Sequence, residues 1–476
     1  MSNYYLAIDQ GGHASRAIVF DQQAKIISQA EHVIQTFTPK PDWVEHDAQE
    51  MIQATRQAIT DAVTQLGDEK KQIKAAGLAT QRSSIACWNK HTGEALSPIL
   101  SWQDRRQADW LAQYQAKAGL IHNKTGLFLS PHYGASKLRW CLDNIDAVKQ
   151  AQKNNQLVMG PLASFLAFHL LRERPLLADP ANASRTLLWN INTHHWDDEL
   201  LTLFGIQKPL LPNCSSSQSN FGRLDSETLS IPLKVITGDQ SAALFAWGVP
   251  RTDTAYVNIG TGAFVQRPLS KHLKNEHLLS GVAYLDADFA SYTLEGTVNG
   301  AARALQWYAG LYGIEDIEQA VAQAIASNET PSLFVNTVSG LGSPDWQANL
   351  EPRFIGNGGR NAQLLAILES IVFLIQRNLE VMHQTTQKTT NIIISGGLSN
   401  LDGLCQQLAD LSNISVKRPS EHEATAKGLA YLTAMRPTEW SGIDNCKTFT
   451  PQPNPALHQR FQQWSQTLAQ IIANNA

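Results

Sequence analysis

Four short apolar segments, each followed at once by a glycine-containing turn, constrain this chain more than any other feature. Each segment is long enough for a buried strand, and the turn after it lets the chain reverse or enter a helix. The four segments are Tyr4–Ile8, Leu233–Ile236, Ala255–Ile259 and Asn391–Ile394. After the first and the third, the chain is predicted to return as a second strand, Ala17–Phe20 and Phe264–Gln266. The pattern predicts a duplicated core, with one copy beginning near residue 4 and the other near residue 254.

Helical periodicity occupies the chain between these strands. Apolar residues recur near the helical period in Gln49–Leu66, Asn361–His383 and Ala424–Ala434. Strands that alternate with helices are typical of an α/β architecture. With 476 residues and about 100–200 residues per domain, two to four domains are expected. Gly238, Gly248 and Pro250 interrupt the pattern near residues 238–254, which predicts a first domain over residues 1–245 and a second over 246–476.

Charge and cysteine content narrow the class of protein. The chain has 38 basic and 42 acidic residues, a net charge of −4, so no basic excess is available to bind a nucleic-acid backbone. Its five cysteines form no Cys-x-x-Cys pair, which favours free thiols in a reducing compartment. The sequence shows no signal-like start and no apolar stretch of about 20 residues. We therefore expect a cytoplasmic protein with neither a nucleic-acid nor a membrane partner.

Glycine turns after buried strands often hold phosphate groups, because backbone N–H groups without a neighbouring Cβ can approach the phosphate oxygens closely. The chain contains neither the P-loop pattern nor Gly-x-Gly-x-x-Gly. Taken alone, each turn is better read as an ordinary strand-to-helix turn, but the group favours a phosphate site. Asp9 and Asp239 each end an apolar segment beside glycine. One carboxylate could hold Mg²⁺ and the other could accept a proton from a substrate hydroxyl; alternatively, either could cap the next helix.

Eleven ordered segments carry a resemblance to a known family. The opening Tyr4-Leu-Ala-Ile-Asp-Gln-Gly-Gly-His-Ala-Ser-Arg16 resembles the start of the FGGY carbohydrate kinases, and the glycerol kinases within them most of all. The segments are Tyr4–Asp21, Asp42–Asp47, Ala79–Arg82, Ser101–Arg106, Asn182–Thr186, Gly238–Phe245, Gly260–Phe264, Ser339–Pro344, Leu368–Ser370, Ser395–Gly397 and Ala424–Gly428. Together they span about residues 4–434, most of the chain.

The resemblance implies two ribonuclease-H-like domains of the actin, sugar-kinase and heat-shock-ATPase type, with a catalytic cleft between them. It also implies Mg²⁺-dependent transfer of the ATP γ-phosphoryl group to a hydroxyl of a small polyol or sugar. Asp239 matches the family's general base, and Asp9 matches the acidic residue associated with Mg²⁺. The positions that match nucleotide and phosphate contacts are Gly11, Gly12, His13, Arg16, Gly260, Thr261, Gly262, Gln306, Gly396 and Gly397.

On the substrate side, the resemblance implies contacts from Arg82, Trp102, Asp239, Gln240 and Phe264. Two positions depart from the glycerol kinases. Ser83 stands where they have a glutamate that accepts a hydrogen bond from a substrate hydroxyl, and His132 stands where they have a tyrosine. Losing one charged partner of a hydroxyl is worth about 1.5–3 kcal/mol. The smaller Ser83 leaves room for a larger substrate, so a pentulose such as ribulose or xylulose is an alternative acceptor.

The first phosphate turn departs as well. The family's Gly-Thr-Thr reads Gly11-Gly12-His13 here, so His13 either donates to a phosphate or marks a weakened site. A nucleotide-binding protein without transfer activity is therefore a further alternative, although the retained Asp9 and Asp239 oppose it. The segment Phe221–Pro232 lacks the glycine-rich sequence that binds fructose bisphosphate in some glycerol kinases, so that control is expected to be absent. Homodimers and homotetramers are both common in the family, and both stay open.

Overall fold

Two large β-sheets, each built from one half of the chain, form the framework of the protein. The computed structural model describes residues 3–226, 229–327, 329–420, 423–440, 442 and 445–475. In the first half the strands are β1 (Tyr4–Gln10), β2 (Ala14–Phe20), β3 (Ile26–Val33), β4 (Glu45–His46), β5 (Ile73–Thr80), β6 (Ile85–Asn89), β7 (Ile99–Leu100), β8 (Leu157–Pro161), β9 (Leu177–Ala178), β10 (Trp189–Asn190), β11 (His195–Trp196), β12 (Asn213–Cys214), β13 (Gln218–Ser226) and β14 (Leu229–Gly238). In the second half they are β15 (Thr254–Ile259), β16 (Ala263–Leu269), β17 (Leu279–Leu285), β18 (Ala290–Val298), β19 (Leu333–Val335), β20 (Arg353–Ile355), β21 (Asn391–Ser395), β22 (Ser415–Pro419) and β23 (Cys446–Phe449).

The two sheets repeat one arrangement of strands. The first has the order β13-β14-β5-β1-β2-β3 and the second β17-β18-β16-β15-β21-β22-β23. In the first, β1 pairs antiparallel with β2 and parallel with β5, which pairs parallel with β14. In the second, β15 pairs antiparallel with β16 and parallel with β21, which pairs parallel with β22. The predicted duplication of the core is therefore confirmed, and all four predicted glycine-terminated strands are present. The segment Phe221–Pro232 lies on the β13–β14 hairpin, and its residues 227 and 228 fall outside the described part.

Helices pack on both sheets. They are α1 (Ala48–Thr64), α2 (Ala108–Leu111), α3 (Ala118–Thr125), α4 (Gly134–Asn144), α5 (Asp146–Lys153), α6 (Leu162–Leu170), α7 (Pro180–Ala183), α8 (Asp198–Phe204), α9 (Asp239–Ala243), α10 (Ala302–Tyr312), α11 (Ile317–Ser327), α12 (Arg360–Thr385), α13 (Asp402–Ser412), α14 (Ala424–Thr433) and α15 (Pro455–Asn475). The three helices predicted from periodicity correspond to α1, α12 and α14 and are confirmed. Among the described residues, we find no helix that combines the length and the apolar character needed to cross a bilayer.

Two helices meet where the halves of the chain join. Helix α9 follows the last parallel strand of the first sheet, and α14 comes after β22 of the second. The helices touch at Gly428, where a Cβ would stand only 1.9 Å from the carbonyl oxygen of Ala242, so no larger residue fits without a shift. Helix α14 also covers the first sheet, because Leu429 and Thr433 lie directly over Gly77 of β5. This packing sets the ends of the parallel strands of both sheets around one cleft.

Candidate active site

A cleft of about 590 Å³ opens between the two halves of the chain. On one side it is bounded by the carboxyl ends of β1 and β14, which place Asp9 and Asp239 in its wall. The two residues are 230 positions apart in sequence, yet β5 lies between their strands and pairs with both. The opposite wall contains Phe264 together with the turn that includes Gly396 and Gly397. Ligands of α/β proteins characteristically bind at such carboxyl ends of parallel strands.

Burial and neighbouring charges shift the pKa values of both aspartates. Burial and then the negative charge of Asp239 raise the pKa of Asp9 to about 7, against the smaller opposing effect of Arg16. The Oδ1 atom of Asp9 is buried and has no hydrogen-bond partner. Burial also raises the pKa of Asp239, whereas the charge of Arg82 lowers it. A pair of carboxylates with one unpartnered buried oxygen suits a hard divalent cation, which prefers oxygen ligands.

The first of the turns predicted to bind phosphate joins β1 to β2. Its backbone is closed by a hydrogen bond from the Gly11 N–H to the Ala14 carbonyl, with a distance of 3.0 Å. The His13 side chain is exposed, and its carbonyl accepts a hydrogen bond from the Ile34 N–H at 2.9 Å. Arg16 lines the cleft, but its guanidinium bonds to Glu31 and lies 3.5 Å from Glu423 of the second half. Binding of a phosphate to Arg16 would therefore compete with two carboxylates.

The second half contributes two further glycine turns. The Gly260–Gly262 turn sits against the start of α10, where the Gly260 and Thr261 carbonyls accept hydrogen bonds from the N–H groups of Ala302 and Arg303. Gly396 has a φ of 90°, and a Cβ there would lie 2.5 Å from the Ile259 carbonyl oxygen. Glycine is therefore required at residue 396 both by its backbone conformation and by its close contact with β15.

A buried ion cluster joins the two halves beside Asp239. Glu295, on β18, is 2% exposed and accepts hydrogen bonds from Arg185 at 2.8 Å and from Arg82 at 3.2 Å. The Arg82 guanidinium also donates to Gln240, the residue after Asp239. Although burial alone would raise the pKa of Glu295, the arginines, Arg185 foremost, lower it to about 2. The cluster fixes Arg82 next to the carboxylate proposed as the base.

Sequence reasoning missed Arg185 and Glu295 as parts of this cluster. Arg185 lies inside the segment Asn182–Thr186, which was singled out for its resemblance without a role. The sequence signal for Glu295 is that it is the one charged residue of the mostly buried strand β18. A charge in such a strand is rare unless it is paired.

The remaining residues predicted to contact substrate lie in a second cluster around Lys137. The Trp102 ring lies 5.4 Å from the His132 ring. Lys137, which is 1% exposed, donates hydrogen bonds to the carbonyl oxygens of Ser83, Ser101 and His132 at 2.9, 2.8 and 2.8 Å. Burial and then the charge of Lys137 hold the pKa of His132 well below its usual range. One side chain thus links three loops by hydrogen bonds. This role of Lys137 was not predicted from the sequence.

The structure brings together only some of the predicted residues at the cleft surface. Those that line the cleft are Asp9, Arg16, Asp239, Gln240, Phe264, Gly396 and Gly397. Those predicted but not among the lining residues are Gly11, Gly12, His13, Arg82, Ser83, Trp102, His132, Gly260, Thr261, Gly262 and Gln306. Of these, Gln306 is exposed on α10, whereas Arg82 reaches the cleft through its bond to Gln240. Their roles in binding stay predictions.

Comparison with known proteins identifies the family. Residues 4–246 match the model of the N-terminal domain of the FGGY family of carbohydrate kinases, and residues 255–436 match that of its C-terminal domain. A glycerol kinase of Pseudomonas aeruginosa is 33% identical over 459 residues, covering 94% of this chain and 92% of the relative.

Solved structures agree with this match. A crystal structure of Plasmodium falciparum glycerol kinase with ADP superposes with a TM-score of 0.89 at 25% identity, covering 99% of this chain and 98% of that one. Xylulose kinase from Rhodospirillum rubrum shares the fold, with a TM-score of 0.88 at 17% identity and coverage of 98% and 99%. The sheets described above are therefore those of two ribonuclease-H-like, actin-like domains. The chain belongs to the FGGY family of carbohydrate kinases, phosphotransferases that use an alcohol group as acceptor.

Proposed function

We propose that this protein transfers the γ-phosphoryl group of ATP to a hydroxyl of a small polyol or sugar, with Asp239 as general base. The observation that carries the proposal is the position of Asp239 in the interdomain cleft, beside Arg82 and opposite Phe264. Two further observations support the proposal. The carboxylate has a raised pKa, which suits a group that must take up a proton, and a glycerol kinase with this fold has been crystallised with ADP.

The reaction needs one proton transfer and one exchange of bonds at phosphorus. Asp239 accepts the proton of the acceptor hydroxyl as the oxygen forms its bond to the γ-phosphorus. The bond from that phosphorus to the bridging oxygen breaks, and ADP leaves with the electron pair. Arg82, held by Glu295 and Gln240, keeps the acceptor next to Asp239. Since little covalent chemistry is required of the protein, positioning and exclusion of water carry most of the catalysis.

Asp9 is the residue we propose for Mg²⁺. The ion would neutralise phosphate charge, and the unpartnered Oδ1 of Asp9 is a suitable ligand atom. In the described part of the chain, no group of three or more histidine, cysteine or acidic side chains is arranged to hold a metal. The glycine turns at residues 11–12, 260–262 and 396–397, with Arg16, are the proposed nucleotide and phosphate contacts, together with His13 and Gln306.

The similarity to glycerol kinases and the residues expected to contact the substrate together favour a glycerol-like acceptor over a pentulose. The relatives at 33% identity are glycerol kinases, and Arg82, Trp102, Gln240 and Phe264 stand at the positions expected for glycerol contacts. Ser83 and His132 alter that pocket, so ribulose or xylulose is the second candidate.

We also propose the domain division at residues 245 and 246, which agrees with the two sheets lying on either side of it. A homodimer or homotetramer is expected, to be measured by light scattering.

The test is Mg²⁺-dependent release of ADP from ATP with glycerol, erythritol, ribitol, ribulose and xylulose supplied separately. We expect one acceptor to stimulate ADP release, and Asp239→Asn to abolish the stimulation while ATP still binds. Asp198→Asn, on the exposed start of α8, serves as the matched carboxylate control and should keep full activity. ATP binding without stimulation by any acceptor would favour the non-catalytic alternative and refute the proposal.

A further inference from the structure

Gln81 is a buried amide that makes no hydrogen bond through its side chain. It is 2% exposed, and both Oε1 and Nε2 lack a partner. Buried amides in folded proteins are nearly always bonded, because removing such a group from water without a partner is costly. Its main chain is well fixed, since its N–H donates to the Gln10 carbonyl at 2.8 Å. The backbone is therefore fixed, while both hydrogen-bonding groups of the side chain are unused.

The position of Gln81 in the sheet indicates what could use that capacity. Strand β5 runs between β1 and β14, and its last residue, Thr80, is in register with Gln10 on one side and Gly238 on the other. Gln81 comes next, so it lies between the first phosphate turn and Asp239. The carboxamide faces that turn, since a Cβ added to Gly12 would stand 3.8 Å from Oε1. A half-turn about the last side-chain bond presents Nε2 at the same place.

Other unpartnered polar atoms occupy the same edge of the sheet. They are Oδ1 of Asp9, near the end of β1, the hydroxyl oxygen of Ser83, two residues after Gln81, and that of Ser241 in α9, which follows β14. Gln10, one strand away, shows the contrast. Its Oε1 accepts hydrogen bonds from Ser15 at 2.5 Å and Thr55 at 2.9 Å. A buried glutamine next to this turn can thus be fully bonded within the protein, and the unused atoms of Gln81 mark a place for a polar ligand group.

We propose that the Gln81 carboxamide contacts the phosphoryl group during transfer, with Nε2 donating a hydrogen bond to one of its non-bridging oxygens. The inference rests on the proposed kinase function and adds a catalytic residue to it. A phosphoryl group moving from the nucleotide to an acceptor beside Asp239 must pass between the first phosphate turn and that carboxylate, where Gln81 lies. A carboxamide is suited to the task because it donates to an anionic oxygen without carrying a proton that could be lost to Asp239.

The test compares Gln81→Met with Gln10→Met in the full-length protein. Methionine has a similar length and no hydrogen-bonding group. For Gln81→Met we expect kcat to fall about 10- to 100-fold with the best acceptor, the size expected for loss of one hydrogen bond to a charged oxygen. The KM values for ATP and acceptor should stay within about threefold. The melting temperature should be unchanged or higher, because no internal hydrogen bond is lost. Gln10→Met should instead lower the melting temperature, because Ser15 and Thr55 lose their acceptor.

A second variant separates contact with the phosphoryl group from packing. Gln81→Glu keeps the shape but adds a negative charge, so kcat should fall further than in Gln81→Met. The inference is overturned if Gln81→Met keeps kcat within about twofold, or if its loss of kcat comes with a lower melting temperature like that of Gln10→Met. An inactive wild-type protein would overturn the proposed function and this inference together. An active wild type with an equally active Gln81→Met would overturn the inference alone.

Discussion

Replacing Glu295 by glutamine should destabilise the protein strongly, because it removes a buried carboxylate that accepts hydrogen bonds from both Arg82 and Arg185. The side chains of these three residues are 2%, 9% and 4% exposed, so water screens their charges very little. Glutamine keeps the shape but removes the counter-charge that both buried guanidinium groups contact directly. The perturbation is therefore electrostatic and leaves packing almost unchanged.

The size of the effect follows from the pKa of Glu295, which the arginines lower from 4.5 to about 2. Each factor of ten in proton affinity corresponds to about 1.4 kcal/mol, so the ionised carboxylate contributes about 3 kcal/mol to folding. Removing one partner of a buried ion pair typically costs about 3–5 kcal/mol of folding stability, which agrees with this value. Because the pKa is lower in the folded protein, this contribution is complete above pH 4.5 and is lost as the pH falls towards 2.

The assay is thermal unfolding of wild type and Glu295→Gln between pH 7 and about pH 3, which enters the range in which the contribution is lost. For a domain of about 150–250 residues, 1 kcal/mol shifts the melting temperature by about 2–4 °C, so a drop of about 6–12 °C is expected at pH 7. The difference should narrow below pH 4.5. Glu199→Gln is the matched control, since Glu199 pairs with Lys124 at 2.8 Å but is 58% exposed, and it should cost less than about 1 kcal/mol. A Glu295→Gln shift no larger than that of Glu199→Gln would refute the reasoning.

Three further variants test other contacts. Lys137→Met removes three hydrogen bonds to the loops of Ser83, Ser101 and His132, so KM for the acceptor should rise about tenfold while KM for ATP does not change. Equal changes in both KM values would contradict the idea that Lys137 positions the loops that contact the acceptor. Ser83→Glu restores the carboxylate of the glycerol kinases and should raise kcat/KM for glycerol relative to xylulose by about tenfold, and an unchanged ratio in acceptor competition would count against it. Gly428→Ala places a Cβ 1.9 Å from the Ala242 carbonyl and should lower the stability in urea unfolding by about 1–3 kcal/mol; an unaltered midpoint would show that α9 and α14 can separate freely.

The framework of the fold could be predicted because its signals are local. Strands such as Tyr4–Gln10 and Asn391–Ser395 are continuous apolar runs that end in glycine, and α12 carries a long apolar stripe. The position of Gly396 could also be predicted, since its turn requires glycine wherever the rest of the chain lies.

The composition of the site could be predicted only in part, since it depends on pairing between distant strands. Spacing in sequence does not show that β5 lies between Asp9 and Asp239, nor that Glu295 reaches Arg82 across the cleft. Gln81 lies in the segment Ala79–Arg82, which carries part of the family resemblance. That its side chain makes no hydrogen bond can be seen only in the folded structure. The same holds for Arg16, whose contact with Glu423 joins residues 407 positions apart.

The way α14 covers the first sheet also bears on how the protein is made. Ala7, Ala79 and Val235 form one apolar cluster with Ala426, Leu429 and Ala430 of that helix. A ribosome completes the first sheet some 190 residues before it releases α14, so during synthesis this face of the sheet lacks the native cover that α14 provides. Contacts between residues so far apart in the chain form slowly, and apolar surface that is exposed before they form promotes aggregation. The nascent first half is therefore expected to engage a chaperone until residue 433 has left the exit tunnel.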